Sequence, residues 1–360
     1  MKEIGSEFWM EPEVDIEDGE MNPLLQSKGD VKLLMSGRSA ILYILHELRD
    51  RDQRKVAYLP AYTCPTVIAP FARMGYTLLF YDVNETLQPE WDDSILGEIS
   101  VLLLCGYFGY PDHDSDVMDR CKQQGVTIIH DVTHTVFSDN GIYEGAHYLA
   151  CSFRKWFGVP EGGCAVSLME PFQTPLLDVN HSYLSLRQEA MSLKAEYLQT
   201  GEPELKQMFL EQFTEAAQLL IDKFDIHRSD QSSLPIINHY PIAGMKEQRR
   251  RNFQYLLQHL KLPPHTRPVF QELLPGVAPL TFPIYSSVRD EIKAHLTSEQ
   301  IYCSVHWPRS AYIDYAQYPK TNQILNTILS IPCDQRYTET DMERICTVMH
   351  KLSSKLHYSY

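Results

Sequence analysis

The amino-acid sequence predicts an α/β fold, in which a large domain with a mostly parallel sheet covered by helices is followed by a smaller C-terminal α+β domain. Continuously apolar strand segments alternate with helical segments between residues 37 and 167, which is typical of parallel strands buried on both faces. The chain has 360 residues, more than a single small core needs. From about residue 241 onward, three helical and two strand segments indicate the second unit.

The first half of the chain supplies the predicted sheet. The segment "SGRSAILYILHELRDRD" has helical spacing, and "CPTVIAPFARMG" and "DHDSDVMDRCKQQG" are predicted helices that end at Gly75 and Gly125. Strands are predicted between these helices, at "KVAYLP", "YTLLFYDV", "VLLLCGYFG" and "VTIIHDV". The segments "HYLACSF" and "GGCAVSL" follow, and we expect them to form a hairpin-like pair within the same sheet.

The second half of the chain is richer in helices. Residues 180–226 are predicted to be largely helical, and "MKEQRRRNFQYLLQHL" begins a new helix at about Met245. Further strands are predicted at "APLTFPIYSS" and "IYCSVHWP", with helices from Arg289 and from Thr338 to Lys355. We therefore predict a large domain over residues 31–240 and a small α+β domain over residues 241–360.

An acidic arm, residues 1–30, precedes these domains. Its charge is concentrated in one run, formed by Glu11, Glu13, Asp15, Glu17, Asp18 and Glu20. Such a composition is compatible with disorder. However, Phe8 and Trp9 are large apolar side chains, and we expect the part of the arm that carries them to dock on the rest of the protein.

Composition limits the classes of partner and site. A net charge of −15 repels nucleic acid and anionic membranes, so we expect neither as a main partner. The segment "MKEIGSEFWMEPEVD" has no apolar signal core, and no apolar run is long enough to span a membrane, which favours a soluble, cytoplasmic protein. The eight cysteines show no C-x-x-C pair and the fourteen histidines no metal-ligand spacing, so we expect free thiols and no metal site.

Asp131 and Lys155 are the two candidate catalytic residues. Asp131 follows "VTIIH" at the carboxyl end of a predicted strand, where open α/β sheets bind ligands, although it could also be a simple N-cap. Lys155 lies in the loop between two apolar strands, where a solvated side chain is the alternative. Together they suggest pyridoxal 5'-phosphate (PLP) chemistry, because a lysine amine forms a Schiff base with an aldehyde and an aspartate can hold a proton on the pyridine nitrogen.

The phosphate of such a cofactor needs a cradle, and "SGRSA" at residues 36–40 precedes the first strong helix. Gly37 allows close backbone approach, while Arg38 and Ser39 lie at a helix N-terminus that favours an anion, although an ordinary serine cap is the alternative. Ser152, three residues before the lysine, could reach the same phosphate. We also expect the paired glycines of "EGG", residues 162 and 163, to leave room for the cofactor.

The chain resembles the PLP fold-type I (aspartate-aminotransferase-like) superfamily and, within it, the DegT-like nucleotide-sugar aminotransferases. The likeness runs from about residue 30 to the end and is carried by the order and spacing of its motifs. These motifs are "SGRSAIL", "YLPAYTCPTVIAPFARMG", "YDV", "IIHDVTH", "SFRKWFGVPEGG" and, in the second domain, "ILSIPCDQRYTETDMERI". Three positions depart from the family: Arg38 stands where Thr is usual, Cys64 where an aromatic side chain often stacks on the ring, and His134 where Gln is usual.

The resemblance implies a role for each matching position. Lys155 would carry the cofactor and move the proton, and Asp131 would pair with the pyridine nitrogen. His134 would approach the ring hydroxyl, and Cys64 would lie beside the ring. The phosphate would be held by residues at the helix start and strand end, namely Gly37, Arg38, Ser39 and Ser152.

The resemblance also implies an activity and an assembly. Glutamate would donate an amino group to a keto-sugar nucleotide, and the enzyme would be a homodimer in which neighbouring subunits complete the sites. Asn180 and Arg187 are candidates for residues donated across the dimer. Two alternatives stay open, a PLP-dependent sugar dehydratase or lyase and a non-catalytic PLP-binding protein. Some dehydrating relatives replace the lysine with histidine, so Lys155 argues against the dehydratase.

Other residues are weaker candidates for a substrate pocket. Tyr107 and Phe108 follow a predicted strand and could wall the cofactor, with core packing as the alternative. His306 and Trp307, in "HWP", could line a sugar pocket or could simply be packed. The basic run "KEQRRRN" at residues 246–252 could form a lip for a nucleotide diphosphate, but the solvated face of a helix is the simpler interpretation.

Overall fold

The computed structural model describes residues 3–10, 21–111 and 114–357. In chain order its strands are β1 Ile4–Gly5, β2 Asp30–Leu34, β3 Val56–Pro60, β4 Thr77–Val83, β5 Pro89–Glu90, β6 Val101–Cys105, β7 Thr127–Asp131, β8 Tyr148–Ser152, β9 Gly163–Ser167, β10 Thr266–Pro268, β11 Phe282–Ser286, β12 Ile301–Tyr302 and β13 Ile328–Ile331. Its helices are α1 Gly37–Leu48, α2 Pro65–Arg73, α3 Ser115–Gln123, α4 His181–Thr200, α5 Pro203–Asp222, α6 Leu234–His239, α7 Ile242–His259, α8 Arg289–Ser298, α9 Pro319–Thr327 and α10 Glu339–His357.

An eight-stranded sheet forms the centre of the molecule, in the order β2-β9-β8-β7-β6-β3-β4-β5. The five strands from β4 through β3, β6 and β7 to β8 pair in parallel. The outer pairs β8–β9, β9–β2 and β4–β5 are antiparallel. The mostly parallel sheet and the hairpin-like pair of β8 and β9 are therefore confirmed. Because parallel strands need helical crossovers, α1, α2 and α3 lie between successive strands along the chain.

Helix α1 shows how local sequence starts an element at the edge of this sheet. The side-chain oxygen of Ser36 caps the helix by accepting a hydrogen bond of 3.1 Å from the backbone N–H of Ser39. The helix then buries an apolar face that includes Ile41, Leu42 and Leu45 in the main core. The cap and the buried face together fix the N-terminus of α1 against strands β8 and β9.

A smaller antiparallel sheet, β10-β11-β13, forms the core of the C-terminal part with helices α7, α8 and α10. The N-terminal arm joins this part, because β1 pairs in parallel with β12. Phe8 is buried beneath the Arg336 guanidinium, 3.8 Å from its ring centroid, and Trp9 lies 5.0 Å from the same group. The predicted docking of Phe8 and Trp9 is thus confirmed, whereas the acidic run of residues 11–20 lies outside the described residues.

Two details of the predicted elements need correction. Helix α7 begins at Ile242 rather than at about Met245, because both side chains are buried on one helix face that starts just after Pro241. Strands β1 and β2 are missing from the prediction, since β1 has two residues and β2 mixes charged with apolar side chains. The division of the chain near residue 240 stays a prediction.

The remaining global features concern cysteines and hydropathy. All eight cysteines are free thiols, as expected. None of the described helices is both long and apolar enough to cross a membrane.

Candidate active site

The carboxyl ends of the parallel strands open into one cavity of about 330 Å³. Cys64 follows β3, Gly106 follows β6, Asp131 ends β7 and Ser152 ends β8, and all four line this cavity. The start of α1 closes one side of it. Because parallel strands end at the same edge of a sheet, residues far apart in the chain meet here, as ligand sites of open α/β sheets do.

Lys155 enters the cavity from the short 3-10 turn Phe153–Lys155, between β8 and β9. Its ammonium group has no hydrogen bond or ion pair to any described residue, although its charge lowers the pKa of nearby groups, among them Asp131 and His134. The next residue, Trp156, anchors the turn: it is fully buried, and its indole Nε1–H donates a hydrogen bond of 2.7 Å to the backbone carbonyl of Thr133. A fixed turn therefore presents a free amine to the cavity.

Arg249 also stabilises the turn that carries Lys155, through the backbone of Trp156. Its guanidinium is fully buried and donates to the backbone carbonyls of Trp156 at 3.2 Å and Leu280 at 3.0 Å. It also lies 4.7 Å from the Trp156 ring centroid, within the range of a cation–π contact. The basic run at residues 246–252 is therefore not uniformly solvated, because this one arginine stabilises the lysine turn.

Asp131 lies half-buried in the cavity wall at the end of β7. Its Oδ1 accepts a hydrogen bond of 3.0 Å from the backbone N–H of Thr133, two residues on, in a local turn typical of Asp. Burial raises the pKa of Asp131 above its ordinary value, and the Thr133 hydrogen bonds and the Lys155 charge only partly offset this effect. A cationic partner in the cavity would therefore stabilise the ionised carboxylate.

The N-terminus of α1 provides the part of the cavity that suits an anion. A Cβ added to Gly37 would lie 3.0 Å from the Cβ of Ser152, so glycine keeps this cradle open. The adjacent Arg38 lines the cavity, and its Nε–H is buried without a hydrogen-bond partner among the described residues. Its Nη1 donates a hydrogen bond to the backbone carbonyl of Leu220 near the end of α5. Free backbone N–H groups, the helix dipole and this guanidinium all favour a bound anion.

Two histidines and a tryptophan close the cavity on the side of the C-terminal part. His134 accepts a long hydrogen bond of 3.3 Å at Nδ1 from the backbone N–H of Phe108. Burial, together with the nearby Lys155 charge, lowers the pKa of His134 far below its ordinary value, so the ring is neutral and Nε2–H is left to donate. Burial likewise lowers the pKa of His306 to about 3. Trp307 stacks against His134 with ring centroids 5.4 Å apart.

The structure brings most of the predicted site residues together. The cavity is lined by nine of them, namely Gly37, Arg38, Cys64, Asp131, His134, Ser152, Lys155, His306 and Trp307. Ser39 does not reach the cavity, because this residue is fully buried and its backbone N–H donates a hydrogen bond to the side-chain oxygen of Ser36. Tyr107 and Phe108 are also outside the lining: the Tyr107 hydroxyl donates to the Tyr62 carbonyl at 2.7 Å, and Phe108 packs behind His134.

One expectation about a glycine changes, whereas the donation of Asn180 or Arg187 across a dimer stays a prediction; each of these two side chains has a partner within the chain. Gly163 leaves no room for a cofactor, because a Cβ there would lie 2.1 Å from the carbonyl oxygen of Ser36; glycine instead permits close packing of β9. Asn180 caps α4 by accepting a hydrogen bond of 3.1 Å from the Tyr183 N–H. Arg187 pairs with Glu7 of the same chain at 3.2 Å.

Sequence reasoning missed several polar residues at or beside this site, among them Thr133, Arg154 and Glu7. Thr133 was visible as the third residue of an Asp-x-Thr turn, and its hydroxyl accepts a hydrogen bond of 3.1 Å from the Ser152 N–H. Arg154 directly precedes the lysine and lines the cavity. Glu7 had no local signal, because only the folded arm brings it near Lys155.

Comparison with known proteins extends over nearly the whole chain. The structure is similar to a protein described as a sugar aminotransferase, Spr1654 of Streptococcus pneumoniae, in its PLP form, with a TM-score of 0.68 and 15% identity over 98% of this chain and 99% of that one. It is similar to PseC of Helicobacter pylori, an aminotransferase of pseudoaminic acid biosynthesis, with a TM-score of 0.65 and 15% identity over 98% and 100%. A DegT DnrJ EryC1 StrS aminotransferase of Brucella abortus gives a TM-score of 0.60 and 18% identity over 90% and 86%.

These likenesses concern the fold. No protein-family model and no curated protein sequence matches the chain. The chain therefore has the same fold as these solved structures, and the expected α/β architecture with a mostly parallel sheet and a smaller C-terminal α+β part is confirmed.

Proposed function

We propose that the chain is a PLP-dependent aminotransferase that moves an amino group from glutamate onto a keto-sugar nucleotide, in the synthesis of surface-polysaccharide or secondary-metabolite sugars. One observation carries the proposal: a single cavity combines an unpartnered lysine amine, a half-buried carboxylate and a helix N-terminus kept open by glycine. Solved structures of the same fold that are described as sugar aminotransferases support the substrate class, and one of them is a PLP form.

The residues present fit PLP. When bound, PLP supplies an aldehyde that condenses with amines and a pyridine ring that withdraws electrons. The phosphate suits the α1 N-terminus, where Gly37 leaves the cradle free and the buried Arg38 Nε–H lacks an acceptor. At the other end of the cavity, the raised pKa of the buried Asp131 carboxyl would fall beside a cationic ring nitrogen.

Each side chain then has a task that its position supports. Lys155 would be the nucleophile that binds the cofactor aldehyde, and it would move a proton as general base and general acid. Asp131 would keep the proton on the pyridine nitrogen. The neutral His134 could donate from Nε2 to the ring hydroxyl oxygen, while Ser152 and the α1 N-terminus would hold the phosphate. Trp307 and His306 exclude water from the opposite side.

We also propose a homodimer. Three apolar side chains of α5 remain exposed in the single chain, with Met208 at 44%, Leu210 at 46% and Ile221 at 56%. Leu210 and Ile221, eleven residues apart, lie on the same side of this helix, and exposed apolar side chains on one face are typical of a surface that another protein covers. A second copy is the partner that the shared fold supports, since closed two-fold assemblies are the commonest oligomers.

Two measurements test the activity. The PLP-loaded protein should produce one equivalent of 2-oxoglutarate per cofactor when glutamate is added alone. A panel of keto-sugar nucleotides should then yield an aminated product, identified by mass, only after this loading. Loss of water from the sugar without amine transfer would favour a dehydratase. Bound PLP with no 2-oxoglutarate from glutamate or any other amino acid would favour a non-catalytic PLP-binding protein.

A further inference from the structure

The first described segment of the N-terminal arm, residues 3–10, lies beside the turn that carries Lys155. Its start is fixed in the C-terminal part, where β1 pairs with β12. Its end is fixed to α4, where the Met10 N–H donates a hydrogen bond of 3.2 Å to the Met191 carbonyl. Between these points the backbone carbonyl of Glu7 accepts hydrogen bonds from Lys194 and Arg336. The arm backbone is therefore held on both sides, and the Glu7 side chain extends from a fixed position.

Glu7 reaches a second cavity of about 320 Å³, which Arg154 and Lys155 also line. Four residues line both cavities, namely Arg154, Lys155, Ser304 and His306, so the cavities meet at the lysine. The charges of Arg187, Arg154 and Lys155 lower the pKa of Glu7 below its ordinary value. The Glu7 carboxylate is thus ionised at neutral pH and lies in a cationic environment beside the candidate catalytic amine.

The two arginines that surround Glu7 are poorly satisfied. Arg187 is only 5% exposed; its guanidinium donates a hydrogen bond of 3.2 Å to the Glu7 carboxylate and lies 4.8 Å from the Phe213 ring centroid. The Nε–H of Arg187 and that of Arg154 are both buried without a partner among the described residues. A guanidinium usually binds a carboxylate through two parallel hydrogen bonds, so this pair can accept a better-placed anion than Glu7.

We propose that Arg154 and Arg187 form a carboxylate subsite beside Lys155, that Glu7 occupies it in the resting protein, and that the carboxylate of the amino-acid donor displaces Glu7. The Glu7 side chain is 50% exposed, so it can rotate toward solvent while its backbone carbonyl stays bound. The inference rests on the proposed function for the identity of the donor. The subsite itself rests only on the charges and contacts of this chain.

The subsite makes Glu7 an internal competitor. A free carboxylate must exchange with a carboxylate that is already present at high effective concentration, which weakens its apparent affinity. Glu7→Gln keeps the size of the side chain and removes its charge. Glutarate, a five-carbon dicarboxylate without an amino group, should then bind roughly tenfold more tightly, a difference of about 1.4 kcal/mol.

Calorimetric titration of glutarate into the full chain, with and without PLP, measures this competition directly. Glu189→Gln is the matched control, because Glu189 is exposed on the same helix as Arg187 and makes no contact with the subsite. Glutarate should bind this variant as it binds the wild type. Arg187→Lys keeps the charge and the fold but loses the two-pronged geometry, and it should weaken glutarate binding roughly tenfold in the Glu7→Gln background.

The outcomes of these titrations distinguish a failure of the carboxylate subsite from a failure of the proposed aminotransferase activity. Equal glutarate affinity of wild type and Glu7→Gln would overturn the inference, as would undiminished binding after Arg187→Lys. Both results would leave the proposed aminotransferase intact if glutamate still yields 2-oxoglutarate. Conversely, tighter glutarate binding by Glu7→Gln in a protein that does not bind PLP would support the subsite and refute the proposed activity.

Discussion

Replacing Asp131 with Asn should slow catalysis and stabilise the cofactor-free protein at the same time. The two side chains are nearly isosteric, and the Asn oxygen can still accept the 3.0 Å hydrogen bond from the Thr133 N–H. The charge beside the pyridine nitrogen is lost, so that nitrogen would tend to lose its proton. Two unit charges about 4 Å apart at an effective dielectric near 20 interact by about 4 kcal/mol. If half of this energy is expressed in the transition state, the rate falls about thirtyfold.

The stability effect has the opposite sign. Burial raises the pKa of Asp131 above 3.8, so the folded protein binds a proton more tightly than the unfolded chain does. The free energy of unfolding of the wild type therefore decreases as pH rises from about 3.8 through the raised folded pKa, and the penalty is fully present above that pKa. Asp131→Asn removes the penalty, so the cofactor-free variant should unfold at a higher denaturant concentration than wild type at pH 7, with the difference fading in acid.

Single-turnover loading of the PLP-bound protein by glutamate, at matched cofactor occupancy, measures the rate effect. Chemical denaturation of the cofactor-free protein between pH 4 and pH 8 measures the stability effect. Asp119→Asn is the control, because this carboxylate is 65% exposed on α3. Equal loading rates in Asp131→Asn and wild type would refute the reasoning and leave Asp131 as a structural cap of strand β7.

Three further changes test the cradle, a buried acid and the assembly. Gly37→Ala should weaken PLP binding at least tenfold in a spectroscopic titration, because its Cβ would lie 3.0 Å from the Cβ of Ser152. Gly244→Ala is the control and should bind PLP normally, since a Cβ there has nothing within 4 Å. Equal PLP affinities of the two variants would contradict the role of Gly37 in phosphate binding. Burial raises the pKa of Glu161 from 4.5 to about 8, so the stability of the wild type should fall between these pH values by on the order of a few kcal/mol. Denaturation of Glu161→Gln should show a smaller decline, to which Asp131 still contributes, and an unchanged pH profile would contradict the raised pKa of Glu161. Leu210→Asp should convert a dimer into monomers in sedimentation velocity, and a wild type that is monomeric and active at micromolar concentration would argue against the dimer.

The parts of the fold that sequence reasoning predicts are those with strong local signals. Strands β3 and β6 are continuously apolar and mostly buried, and β7 has an apolar centre, so their pattern differs clearly from that of the helices around them. The edge strand β2 is not predicted, because the partly exposed Asp30 and Lys32 interrupt the apolar pattern of the strand. Two-residue strands such as β1 carry no periodicity at all.

The residues of the candidate site likewise fall into those that the sequence predicts and those that it does not. Asp131, Ser152 and the α1 N-terminus converge because parallel strands end at one edge, a rule that needs no knowledge of side-chain contacts. Arg249 is misjudged, since a run of three arginines suggests a solvated face while one of them is fully buried on backbone carbonyls. Glu7 and Arg187 are 180 residues apart in the chain and come into contact only through tertiary folding, so no local sequence pattern predicts their contact.

The covalent attachment of PLP to Lys155 tests the central claim most directly. Wild-type protein is incubated with PLP, reduced with borohydride and digested, and the modified peptide is identified by mass spectrometry, with Lys155→Met and Lys223→Met treated in parallel. We predict one equivalent of cofactor on the peptide that contains Lys155 in the wild type and in Lys223→Met, and none in Lys155→Met. Attachment to another lysine, or the absence of any modified peptide from the wild type, would contradict the account.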